Sequence, residues 1–186
     1  MRWEEMLLDL FEDLEQQAEG LALAERDAEV AELSRAEYAQ VDFASRLHAS
    51  TGHRVVIVVA GRGHIDATIA RVGVDWLLAD DAQHEWILRT AAIGHVRGLS
   101  DRAVGEQNRP VPARVGLGSA LRSVAESRAL VLLHRMDGGS VRGQLRRVGA
   151  DFVELWVSEH AEAWTSGAEG HVEVVPFAAV AAVRRT

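Results

Sequence analysis

The chain has 186 residues, 48% hydrophobic and 26% charged, with no cysteine and a formal net charge of −8. That length suits one medium domain or two small ones, and the balance is that of a globular chain rather than a disordered one. Disulfides, thiol nucleophiles and cysteine-based zinc sites are excluded. No apolar run approaches the roughly 18–20 residues that cross a bilayer, and the acidic start Met1-Arg2-Trp3-Glu4-Glu5 is unlike a signal peptide. A cytoplasmic protein with no membrane partner is expected.

All 20 basic residues are arginine, as in chains from GC-rich genomes. Residues 1–50 hold 13 acidic residues and four arginines, whereas 51–186 hold 15 acidic residues and 16 arginines. An acidic segment therefore precedes a nearly neutral body. Such a segment repels polyanions, and the body has no overall basic field to attract them.

Residues 2–33 read as helix, rich in Ala, Leu and Glu and free of proline. Trp3, Leu7, Leu10, Leu14 and Leu21 fall on a heptad seam of about three repeats. The seam fits a helix packed on its own domain, or a coiled coil or partner-binding helix. A second helix is expected over 34–50, because Ser34-Arg35-Ala36-Glu37 fits a capping box and Val41, Ala44 and Leu47 share a face.

The strongest signal is an internal repeat. Residues 55–79 match 131–155 without a gap: Arg71-Val72-Gly73-Val74-Asp75-Trp76 corresponds to Arg147-Val148-Gly149-Ala150-Asp151-Phe152. After an insertion within 156–170 the register resumes, pairing His84 with His171 and Val96-Arg97 with Val183-Arg184. Two copies of one unit are implied. Each unit reads as five short strands. Residues 55–59 form an apolar strand, then comes a Gly-rich turn (Asp137-Gly138 in the second copy). Ile65, Ala67 and Ile69, like Val141, Gly143 and Leu145, alternate inward against polar neighbours. Strands over 75–79, 85–89 and 93–98 follow. A helix over 117–127 precedes the second unit, and 100–116, with Gly105, Pro110 and Pro112, is a linker. The expected fold is α+β: an acidic helix (1–33), then two tandem five-stranded antiparallel barrels (34–99 and 117–186), each preceded by a helix.

A helix followed by five bent strands resembles the Sm-like family, and Asp137-Gly138, Gly143-Gln144-Leu145 and Asp151 are similar to its first motif. The chain as a whole also resembles proteins of GC-rich bacteria. The Sm-like resemblance implies rings of six or seven subunits and single-stranded RNA as ligand; a tandem pair would supply two subunits of a ring. The family's RNA-contacting Asn is missing, however, since Trp76-Leu77-Leu78 and Phe152-Val153-Glu154 stand there. Leu88-Arg89-Thr90 and Val175-Pro176-Phe177 replace its second motif. The family's RNA-binding residues therefore do not carry over, and other SH3-like small barrels fit as well.

Chemistry is sparse. There is no phosphate loop, no Gly-x-Ser-x-Gly elbow, and no pair of histidines spaced for a metal. No catalytic residue, cofactor or metal is expected. His84 and His171 are repeat-equivalent and read as strand-end polar residues. Asp75 and Asp151 read as acceptors of backbone amides in the adjacent turn, and Trp76 and Phe152 as core or inter-unit packing. Trp3, Leu7, Leu10, Leu14, Trp156 and Trp164 are the candidate partner-binding residues, the last two bracketing the insertion. Arg142, Arg146 and Arg147 are the candidate nucleic-acid patch. The expected function is a non-enzymatic interaction or scaffolding protein that self-associates or binds a protein partner. The alternative is RNA or single-stranded DNA binding through the arginine face.

Overall fold

The computed structural model describes residues 3–158 and 170–186, without the side chains of 4–10, 12, 13, 111 and 112. It divides into two compact bodies, Met1–Val41 and Asp42–Thr186. The first is a single helix, α1 (Trp3–Tyr38). It runs through Ser34 rather than stopping before it, so the expected break and capping box at 34–37 do not form. A Ser-x-x-Glu inside an Ala- and Glu-rich run sits in a helix interior at little cost. The next helix is correspondingly short: α2 (Phe43–Ala49) begins at Asp42, whose carboxylate accepts the Ser45 amide at 2.6 Å.

The second body is built on strands. β1 (Arg54–Val59), β2 (Gly63–Val72), β3 (Trp76–Asp80), β4 (Glu85–Arg89) and β5 (Ile93–Arg97) come first. After two 3-10 turns comes α3 (Leu117–Glu126), then β6 (Leu130–Arg135), β7 (Ser140–Val148), β8 (Phe152–Val157), β9 (His171–Pro176) and β10 (Val180–Arg185). The ten strands form one antiparallel sheet in the order β5-β1-β2-β3-β4-β10-β6-β7-β8-β9. Among the described residues the sheet is open, and β5 and β9 are its edges.

Each run of five has its fifth strand first, beside its own first strand. The register shift between Ile69 and Arg71 on β2 has its counterpart between Leu145 and Arg147 on β7. Single 3-10 turns, Thr90–Ala92 and Phe177–Ala179, precede both β5 and β10. The strand faces follow the alternation in the sequence: Ile65, Ala67 and Ile69 are buried while His64 and Asp66 are exposed, and Val141 and Leu145 are buried while Arg142 and Arg146 are exposed.

Two apolar cores lie against the sheet, and each takes residues from the other half. The first gathers Leu47, Ile57, Ile69, Leu77, Trp86 and Leu88, together with Ala181 and Ala182 of β10. The second gathers Leu117, Leu121, Leu133, Leu145 and Leu155, together with Trp76 of β3, and Leu78 and Ile87 pack against it. This exchange follows from β4 pairing with β10: a strand shared between two runs shows one face to each core.

Candidate functional site

The join between the halves is built in layers. At the backbone, Leu88 pairs with Ala182, Ile87 with Val183 and Trp86 with Arg184. The Arg185–Glu85 ion pair, 3.8 Å and exposed, lies at its end. On one face Trp86 is 1% exposed. His134 stacks on it with centroids 5.7 Å apart, and the guanidinium groups of Arg62 and Arg184 lie 5.0 and 5.5 Å from its ring. The Trp86 indole donates to Asp81 Oδ2 at 2.8 Å. Burial raises the Asp81 pKa, but the bonds from Trp86, Gln83 and His84 outweigh it and hold the carboxyl below its usual range. His134 is held in the other direction: burial, then Arg62 and Arg184, favour its neutral form. Among the described residues its Nε2 and the Arg184 Nε are buried without a hydrogen-bond partner.

Loops add further ties. The Leu117 amide, at the start of α3, donates to Asp75 Oδ1 at 2.7 Å, and the Trp76 indole donates to the Val115 carbonyl at 2.8 Å. Arg89 donates to the Ala178 carbonyl at 3.1 Å. Gly61 has φ +68° and lies so close to the Arg135 carbonyl and the Gly138 amide that a Cβ would collide with both. Trp76 thus packs between the units, as its sequence position suggests. The Asp75 carboxylate does not bind its own turn: it caps a helix of the other half. Asp151, its counterpart, is exposed, as Asp75 is.

The two free edges are the repeat equivalents of the joined strands. β9 exposes Val174 (59%) and Val172 (38%), while Val175 is buried. Gly94, His95 and Arg97 of β5 are exposed. Neither edge is paired among the described residues, and unpaired edges are templates for strand addition.

The arginine candidates separate. The Arg147 Nε donates to Glu154 Oε2 at 2.8 Å, which removes it from the patch. The register shift beside it makes Arg146 the extra residue and sets Arg147 opposite Glu154. Arg142 and Arg146 stay exposed, with no acidic partner among the described residues. Arg146 lies 5.9 Å from the ring of Trp156, which is half-buried.

Of the helix candidates, Trp3 (80%) and Leu14 (51%) are exposed. The side chains of Leu7 and Leu10, and Trp164 altogether, lie outside the described residues. His84 contacts Asp81 and His171 contacts Glu173. Four strands separate β4 from β9 in the sheet, so the two histidines share no site. Among the described residues no group of three His, Asp or Glu is placed to hold a metal, and no helix is long and apolar enough to cross a membrane. Trp86 and its cationic partners went unmarked in the sequence. The signal that could have found them is a break in the repeat, since Glu173 stands at the position equivalent to Trp86.

No family model and no curated protein matches the chain.

Proposed function

We propose that this is a non-enzymatic, cytoplasmic scaffolding protein that self-associates by joining sheet edges, and that its two five-stranded runs are tandem Sm-like small barrels. The observation that carries the proposal is the β4–β10 join itself. Moving that pairing along the repeat sets β9 of one molecule against β5 of the next. Val175 then faces His95, Val174 faces Val96 and Glu173 faces Arg97.

The transferred register is chemically sensible. Exposed Val174 meets half-buried Val96, and an acidic residue meets a basic one where the inner join places Trp86 beside Arg184. The contact is head-to-tail, so each molecule keeps one edge of each kind. Such interfaces build rings when the rotation closes and filaments when it does not.

Charge reversal tests it. Glu173→Arg alone and Arg97→Glu alone each lower the mass measured by sedimentation toward the 20.3 kDa protomer, and the double reversal in one chain restores it. Masses indifferent to all three variants refute the edge join.

A further inference from the structure

A second surface joins two features that stand apart in the sequence. In the second half, an open groove of about 520 Å³ lies between the end of α3 and strands β7 and β8. Ala125 and the half-buried Trp156 give it apolar walls, Leu145 is buried beneath it, and Arg128, Gln144 and Arg146 line it with polar groups. Arg128 and Arg146 are exposed, and neither has an acidic partner among the described residues. Arg142 lies on the same strand face as Arg146. Arg128 also holds a left-handed backbone conformation, φ +51°. It is the residue after the C-cap of α3, where a left-handed conformation commonly ends a helix. A groove with apolar walls and unpaired arginines suits an acidic amphipathic helix.

The protein carries such a helix. α1 holds 12 acidic residues and two arginines. Phe11, Leu14 and Leu21 are 60%, 51% and 64% exposed and, with Ala18, form a stripe at steps of three and four residues. Glu15 and Glu19, both exposed, flank it. Two copies of α1 facing each other would bring like charges together.

We infer that α1 of one copy docks in trans on the α3–β7–β8 groove of a second copy, with its apolar stripe against Trp156 and Ala125 and its carboxylates toward Arg128 and Arg146. This contact is separate from the strand-edge join and does not rest on it.

The absence of native cysteine allows a direct test in the full chain. One preparation carries Leu14→Cys and the other Gln144→Cys; they are mixed and mildly oxidised at low salt. A mixed disulfide is expected, well above that formed by Leu14→Cys with His53→Cys. Arg128→Glu with Arg146→Glu in the groove copy lowers it several-fold, and Glu15→Arg with Glu19→Arg in the helix copy restores it. High salt lowers the yield as well. Glu173→Arg leaves the cross-link unchanged, which separates it from the edge join.

Four results would each overturn the inference. One is a yield no higher than the His53→Cys control. Another is a yield indifferent to charge reversal. The third is a chain carrying both cysteines that closes only on itself. The last is a single-stranded RNA oligonucleotide that binds through Arg128 and Arg146 while no cross-link forms.

Discussion

The inner join and the outer edges use equivalent strands with different chemistry. Inside, Trp86 is packed between His134 and two arginines, and Gly61, Asp75 and Trp76 tie loops of one half to the other. At the edges the positions equivalent to Trp86, Arg184 and His134 hold Glu173, Arg97 and Val58. The first contact is buried and aromatic, as in a permanent interface; the proposed edge join would pair charged and small apolar residues, as in an interface that forms and releases.

The largest expected effect separates the two most sharply. Trp86→Ala removes a nearly fully buried indole and is expected to cost about 3–5 kcal/mol in urea denaturation. Glu173→Ala, at the matching edge position, is expected to change the stability of the protomer by no more than about 0.5 kcal/mol. Equal losses would mean that the two positions do the same work.

A smaller effect reads the inner join through pH. His134 is held neutral by burial and by Arg62 and Arg184, so its folded pKa lies below its unfolded value near 6.5. The native state then binds fewer protons than the unfolded chain. Stability is full above that value and declines as pH falls toward the folded pKa. His48, also held neutral by burial and by Arg109, acts in the same direction. The His134 share is therefore the difference in slope between the wild type and His134→Gln, measured by thermal unfolding from pH 7.5 down to pH 5 in steps of about half a unit. Identical slopes would show that the cluster does not sense protonation.

Much of the strand layout was legible because one face of each strand is buried, which writes itself as alternation at Ile65, Ala67 and Ile69 and again at Val141 and Leu145. Helix boundaries were less so. Ser34-Arg35-Ala36-Glu37 has the composition of a cap, yet the real N-cap is Asp42, where the chain must turn to place Leu47 in the core. The pairing of β4 with β10 has no local signature, since it links segments far apart in the chain. The candidate sites were legible by type rather than by place. The arginine patch keeps Arg142 and Arg146 and loses Arg147 to Glu154, a pairing set by a register shift that periodicity alone does not reveal.

The central claim is that β9 of one molecule adds to β5 of another in the register of the inner join. Val174→Cys and Val96→Cys, made in separate preparations and mixed, test it most directly. Facing positions on antiparallel strands lie about 4.5–5.5 Å apart at Cα, within disulfide reach. A mixed disulfide at this pair, and none when Val172→Cys replaces Val174→Cys, is the predicted result; no mixed disulfide, or equal yields from both positions, would contradict it.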